Sequence, residues 1–333
     1  MSTDTAPPLP RFAQIEPVGR CNLACRMCTV HERGDTVAEM PLERFAALLD
    51  QMPGLERLHL QGLGEPMLHP DFFEMVSLAA SRGIHVSANT NATLLTPRRV
   101  QACIDSGLAA LSVSLDGATA ATYEAIRRRA DFGKVVRNLG RLTAARDAAG
   151  SALQVRGVMV LMRGNAAELP ALVDLLHAQR VTELLVQRLS NDLRDSGLPA
   201  RYIPIRDYVD DAEMRPSDLD AVRRLFERAR ERADALGVVL HMPRLDGSDG
   251  AVANPPTSPR CGWPWEQLYV TAAGELLPCC MVATADRASF GNVFDGGLAA
   301  RWHGDAAQAF RRTLASDTPP SVCRSCALYH GRF

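Results

Sequence analysis

An α/β fold with a parallel sheet is what this sequence predicts, and three observations carry that reading. Short apolar runs rich in β-branched residues recur along the chain, and most gaps between them hold a stretch of helical periodicity. Past residue 250 the character changes to cysteine-bearing, Trp- and Pro-containing segments, which predicts a smaller C-terminal domain over 251–333 beside a larger one over 1–250.

Taken in order, the strands are expected at "FAQIEP" (12–17), "LERLHLQG" (55–62), "GIHVSANT" (83–90), "LAALSVSLDG" (108–117), "LQVRGVMVL" (153–161) and "TELLVQRL" (182–189), with a seventh run at "VVLHMP" (238–243). Helices fill "PLERFAALLDQM" (41–52) and "VVRNLGRLTAARDAAG" (135–150), the latter stopping at Gly150 as its C-cap. Asn165, with Glu168 three residues on, has the spacing of a capping box ahead of another helix. Residues 190–218 lack a period and read as a loop or insertion; "LDAVRRLFERARERADALG" (219–237) is a strong helix; 245–259 reads as a linker. "CGWPWEQLYVTAAGELLPCC" (261–280) reads as a β-hairpin around Ala273 and Gly274.

Bulk electrostatics are silent on partners. With 37 basic and 38 acidic residues, nothing calls for nucleic acid or an anionic membrane. No apolar stretch approaches the roughly 20 residues of a membrane span, and "MSTDTAPPLPRF" lacks the regions of a signal peptide, so the expected location is cytoplasmic. In that compartment nine cysteines, eight of them gathered toward the two ends of the chain, point to metal binding rather than a disulfide framework. Cys103, alone within a helical run, reads as a small buried apolar residue. No catalytic triad, phosphate loop or basic aromatic strip supports a hydrolase or a nucleic-acid binder.

The densest chemistry is "CNLACRMC", where Cys21, Cys25 and Cys28 fall within eight residues. Thiolates suit zinc or an iron–sulfur cluster. A structural zinc site wants a fourth ligand, and the nearest histidine, His31, fits poorly into so compact a loop. A 4Fe–4S cluster held by three thiolates leaves one iron open to a substrate or cofactor.

This CxxxCxxC loop behind a first strand resembles that of the radical S-adenosylmethionine (SAM) enzymes. The resemblance implies a partial (β/α)6 TIM-type barrel, a 4Fe–4S cluster on Cys21, Cys25 and Cys28, and SAM on the open iron. It implies further that SAM cleavage yields a 5′-deoxyadenosyl radical able to take hydrogen from an unactivated carbon. Family-like segments follow in order. "GLGEP" would bring Gly62 and Gly64 close to the methionine amino group, with Glu65 closing or bracing the turn; an ordinary tight turn is the alternative. After "NTN" and "SVSLDG", Asn91, Ser114 and Asp116 are the implied cofactor contacts, the last two for the ribose hydroxyls, though Asp116-Gly117 also reads as a turn. Arg127 in "TYEAIR" is implied near SAM or substrate or else solvated, and Asn165 is implied against the adenosine. The turn departs from the family's best-known form, which has two adjacent glycines.

Cys261, Cys279, Cys323 and Cys326 resemble the SPASM extension of such enzymes in its shortened, twitch form, which implies one auxiliary 4Fe–4S cluster with four ligands; a zinc ribbon is the alternative. Trp263 and Trp265 are expected to pack around it. Cys280 is either a bystander beside a ligand or a thiol that gives a hydrogen atom to a substrate radical. The pattern is similar to that of aminocyclitol dehydrogenases of aminoglycoside biosynthesis. It implies a radical SAM oxidoreductase that dehydrogenates a secondary alcohol of a sugar or aminocyclitol, served by a flavodoxin- or ferredoxin-type electron donor. The alternatives are an epimerase, a maturase acting on a short ribosomal peptide, and a non-catalytic iron–sulfur or zinc protein. The few residues ahead of Cys21 tilt the expectation toward a small substrate.

Overall fold

A computed structural model describes residues 7–34, 37–189, 192–243 and 261–330. In chain order its elements are β1 (Phe12–Ile15), β2 (Ala24–Cys25), α1 (Leu42–Asp50), β3 (Arg57–Leu60), α2 (Phe72–Ser81), β4 (His85–Thr90), α3 (Pro97–Asp105), β5 (Ala110–Ser114), α4 (Ala120–Ile126), β6 (Arg127–Arg128), α5 (Phe132–Ala148) and β7 (Gln154–Leu161). There follow α6 (Leu169–Ala178), β8 (Glu183–Arg188), α7 (Ile203–Ala212), α8 (Leu219–Leu236), β9 (Val239–His241), α9 (Trp263–Glu266), β10 (Gln267–Val270), β11 (Leu276–Leu277), α10 (Val293–Gly296), α11 (Leu298–Trp302) and α12 (Asp305–Leu314).

Six strands, β1, β3, β4, β5, β7 and β8, run parallel in sequence order, each joined to the next by a stretch that holds at least one helix. β9 adds a seventh parallel strand beside β8, and the sheet ends at β9 on one edge and β11 on the other, which makes the barrel partial. Strands covered on both faces must be apolar on both, and β5, "ALSVS", is buried at its first four positions. The helices turn one stripe inward, as α1 does with Phe45, Leu48 and Leu49. Thr96, Thr119 and Asp131 cap α3, α4 and α5 by accepting from the backbone N–H three residues on. Leu58, Leu111 and Val113 sit fully buried in the shared core, where truncating a leucine to alanine costs about 2–5 kcal/mol.

All seven expected strands and the hairpin are present. The hairpin is not a detached module: β10 pairs parallel with β1, Phe12 opposite Gln267 through Ile15 opposite Val270, and β11 returns antiparallel. The C-terminal helices lock onto the same frame. Trp302 Nε1 donates to Pro7 O at 3.0 Å, and the fully buried Arg311 lies over the Trp302 ring while donating to Pro264 O and Trp302 O, both at 2.8 Å.

Two local expectations change. Residues 190–218 are not all loop, since α7 lies inside them and buries Ile205 and Val209. The helix before Gly150 ends at Ala148 with Ala149 as cap; Gly150 follows it with φ of 59°. The linker at 245–259 lies outside the described residues.

Candidate active site between two cysteine groups

The loop after β1 is pinned from three directions. Cys25 lies in β2, which pairs antiparallel with β6 so that Cys25 faces Arg127, and Arg26 N donates to Ile126 O at 3.0 Å. Cys28 N donates to Cys25 O at 3.1 Å, and His31 Nε2 meets Leu23 O at 2.7 Å, bracing the loop as its imidazole donates rather than ligates. Asn91 Nδ2 reaches Asn22 Oδ1 at 3.0 Å and Cys21 Sγ at 3.9 Å, tying the loop to the end of β4. Cys21, Cys25 and Cys28 then line one cavity of about 260 Å³ together with Gly62, Gly64, Glu65, Asn91, Ser114 and Arg127. Burial pushes the Cys21 thiol up to about 11 and the Cys28 thiol to about 12, so a metal that binds here must displace their protons.

Other implied contacts have different employment. Asp116 is fully buried: Oδ1 accepts from Val160 N at 2.8 Å and Oδ2 lies 2.8 Å from Arg127 Nη2, and the residue is not among those that line the cysteine cavity. Asn165, also fully buried, donates to Asp116 O and Val160 O, accepts from Met162 N, and is not among the residues that line the cysteine cavity. It forms no capping box with Glu168. Glu168 instead caps α4, accepting from Ala118 N, Thr119 N, Thr119 Oγ1 and Thr122 Oγ1 between 2.5 and 3.1 Å. Gly62 and Gly64 are needed for packing within the protein: a Cβ on Gly64 would stand 1.9 Å from Val18 O, and one on Gly62 2.3 Å from Glu16 Cγ. Glu65 braces the turn. Its carboxylate accepts from Thr90 Oγ1 at 2.7 Å and Asn91 N at 2.8 Å, and burial raises its pKa against those bonds.

Arg127 is not a solvated helix residue. It is 8% exposed, with Nη2 on Asp116 and Nη1 3.9 Å from Cys25 Sγ, and its buried Nε has no hydrogen-bond partner among the described residues. An unsatisfied guanidinium edge in the wall of a thiol-lined cavity fits an anionic group on the cofactor. Sequence reasoning missed Glu16, the fully buried residue after β1, which accepts from both Arg33 Nη atoms, from Leu63 N at 2.9 Å and from Ala272 N at 3.2 Å. One acid thereby joins the cysteine loop, the glycine turn and the C-terminal hairpin; a charged residue closing an apolar strand was its one visible signal.

Cys261, Cys279, Cys323 and Cys326 line a second, small cavity walled by Trp263, Phe310, Leu314 and Tyr329, and Trp265 packs against Leu314, Cys326 and Tyr329. A dry, thiol-only donor set of four suits an iron–sulfur cluster. Among the described residues no three His, Cys, Asp or Glu side chains converge as one metal ion requires. Cys280 is absent from this lining. It opens instead on a third, central cavity of about 410 Å³.

That central cavity borders the other two. It shares Gln61, Gly62, Leu63, Asn89, Val158 and Gln187 with the amino-terminal cysteine cavity, and Trp263 and Leu328 with the carboxy-terminal one. A larger depression, about 700 Å³, lies elsewhere between α2 and α3, and no cysteine lines it. Cys103 is fully buried in α3, as expected.

Comparison with known proteins agrees with this layout. Residues 15–176 match the Radical SAM superfamily model, and residues 261–327 match the SPASM model, an iron-sulfur cluster-binding domain. The chain is 25% identical, over 96% of its length and 87% of the relative's, to the tungsten-containing aldehyde ferredoxin oxidoreductase cofactor-modifying protein of Pyrococcus furiosus. It is 27% identical, over 96% of its length and 80% of the relative's, to the PqqA peptide cyclase of Rhizobium meliloti. In fold it resembles Streptococcus suis SuiB crystallised with its precursor peptide SuiA, with a TM-score of 0.70 at 18% identity, covering 97% of this chain and 70% of that one. The expected likeness to aminocyclitol dehydrogenases is corrected by these relatives, which include a peptide cyclase instead.

Proposed function

We propose that this chain, which carries a radical SAM domain over 15–176 and a SPASM domain over 261–327, is a peptide maturase. The two domains imply SAM and two 4Fe–4S clusters, one on Cys21, Cys25 and Cys28 and one on Cys261, Cys279, Cys323 and Cys326. When bound, SAM and its reduced cluster supply a carbon radical strong enough to remove hydrogen from an unactivated carbon.

The observation that carries the reading is the central cavity, bordered by the three-cysteine site on one side and the four-cysteine site on the other. A substrate held there lies beside the place where a hydrogen atom is taken and beside a place where an electron can be received. The protein orients and excludes water: Glu65, Asn91 and Arg127 fix the loop that carries the cysteines, and Trp263 separates the auxiliary thiols from the substrate space. The named peptide relative favours a peptide over the sugar or aminocyclitol of the first reading.

The test is direct. Anaerobically reconstituted protein, SAM and a flavodoxin- or ferredoxin-type donor are mixed with short peptides encoded beside the gene, and with an aminocyclitol in parallel. Loss of two mass units from a peptide together with 5′-deoxyadenosine release supports oxidative maturation. Oxidation of the aminocyclitol with every peptide unchanged would return the dehydrogenase reading.

A second reading, epimerisation, has one observation in its favour. Cys280 faces the central cavity rather than the auxiliary site, where a thiol can return a hydrogen atom to a substrate carbon.

A further inference from the structure

The walls of the central cavity are polar but almost uncharged. Gln14, Gln61, Asn89 and Gln187 contribute four carboxamides, and neither Asp nor Glu is among the residues that line it. Arg156, on β7, is the exception. Its Nε donates to Ser112 Oγ at 2.7 Å, which fixes the plane of the guanidinium. Nη1 lies 3.7 Å from Glu183 Oε1, a separation at which a partly exposed pair is held loosely, and Glu183 also sits 3.4 Å from His241. No hydrogen bond or ion pair among the described residues engages Nη2. His59, the cavity's other basic side chain, is occupied at both ring nitrogens by Ser87 and Gln61, and burial keeps it neutral.

A fixed, planar cation with an unengaged Nη2, in a cavity that no carboxylate lines, selects a carboxylate, because the fork of a guanidinium matches two carboxylate oxygens. We propose that Arg156 anchors a carboxylate of the substrate, so that the peptide is acted on beside an acidic residue or beside its own C-terminus. This rests on the peptide reading above and adds the chemistry of the residue recognised.

A displayed random-peptide library is selected on the anaerobically reconstituted, SAM-loaded protein, and the recovered peptides are synthesised as acid and neutral pairs, Glu against Gln and free C-terminus against amide. The expected result is a recurrent acid whose neutralisation weakens binding about ten- to a hundredfold, the worth of a charge-assisted hydrogen-bonded pair. Which member of the two pairs matters tells a side-chain carboxylate from a terminal one. Arg156→Gln should bind acid and neutral peptides alike, and Arg156→Lys should keep part of the preference; unchanged SAM binding in both variants reports an intact fold. Peptides that bind the native protein equally as acid and as neutral would overturn the anchor and leave the peptide reading standing. If no peptide is recovered but glucuronate binds and glucose does not, with the difference lost in Arg156→Gln, the anchor holds and the peptide reading falls. Binding of neither class overturns both.

Discussion

Asp116 and Arg127 show how much of this site is set by single buried side chains. Their ion pair is buried at both ends, and removing one partner from such a pair typically costs about 3–5 kcal/mol because the other charge is stranded. Asp116→Asn should therefore lower the melting temperature sharply and loosen the loop at Cys25, whereas a double change with Arg127→Leu should recover part of the loss; a double variant no more stable than the single would argue against the pair. Glu168 gives a pH signature. Burial opposes its ionisation, yet four donors hold its carboxyl below the usual range, so the folded pKa lies under the unfolded one. Its contribution is complete above about pH 4.3, the ordinary glutamate value, and fades as pH falls through the lower folded pKa. The melting-temperature gap between the native protein and Glu168→Gln should accordingly close in acid and stay constant at neutral pH. Cys280 is tested in deuterated solvent: if its thiol returns hydrogen, the treated peptide gains one mass unit, and Cys280→Ala abolishes that gain while 5′-deoxyadenosine still forms. Spacing made the two cysteine groups legible, and Cys21, Cys25 and Cys28 line one cavity while Cys261, Cys279, Cys323 and Cys326 line another. Asp116 and Asn165 were not legible, because what employs them is a guanidinium across α4 and backbone groups of β7, which no local motif announces.

At the scale of elements, the turn after β3 and the loop after β1 fold against each other with no spare room. Gly64 is held so close to Val18 O and Arg20 O that any side chain collides with backbone, which cannot rotate away. Gly64→Ala should thus yield protein that fails to take up iron on Cys21, Cys25 and Cys28, while Gly54→Ala, with nothing within 4 Å of the added carbon, should load normally. Equal iron content in the two variants would mean that the turn is free to move. The strands were readable because each is a short apolar run bounded by Gly, Pro or polar residues, a pattern set by burial on both faces. α7 escaped because its residues, "IPIRDYVDDA", carry a proline in the first turn and three aspartates, and its packing partners, Met162, Leu189 and Leu193, are remote in sequence or lie in the preceding loop.

For the whole molecule the question is whether the two cysteine groups belong to one folding unit. A boundary near residue 250 separates them by composition, but β10 lies against β1, with Ala13, Ile15, Leu268 and Val270 fully buried, and Ala272 N donates to the same Glu16 carboxylate that holds the glycine turn. Removing the C-terminal part would bare one edge of β1, uncover that apolar surface and take a donor from a buried acid, all within a few residues of Cys21. Loss of ligands alone does none of this. A Cys21/Cys25/Cys28→Ala variant should then keep about four irons on the auxiliary thiols and unfold in one transition seen alike by far-ultraviolet circular dichroism and by tryptophan fluorescence. A chain cut after residue 243 should fail that same test of cooperativity and bind no iron, although it retains every residue of the amino-terminal cysteine site. A truncated protein with a native spectrum and a loaded cluster would instead establish the first 243 residues as an independent unit, and would make the shared sheet a docking contact rather than part of the core.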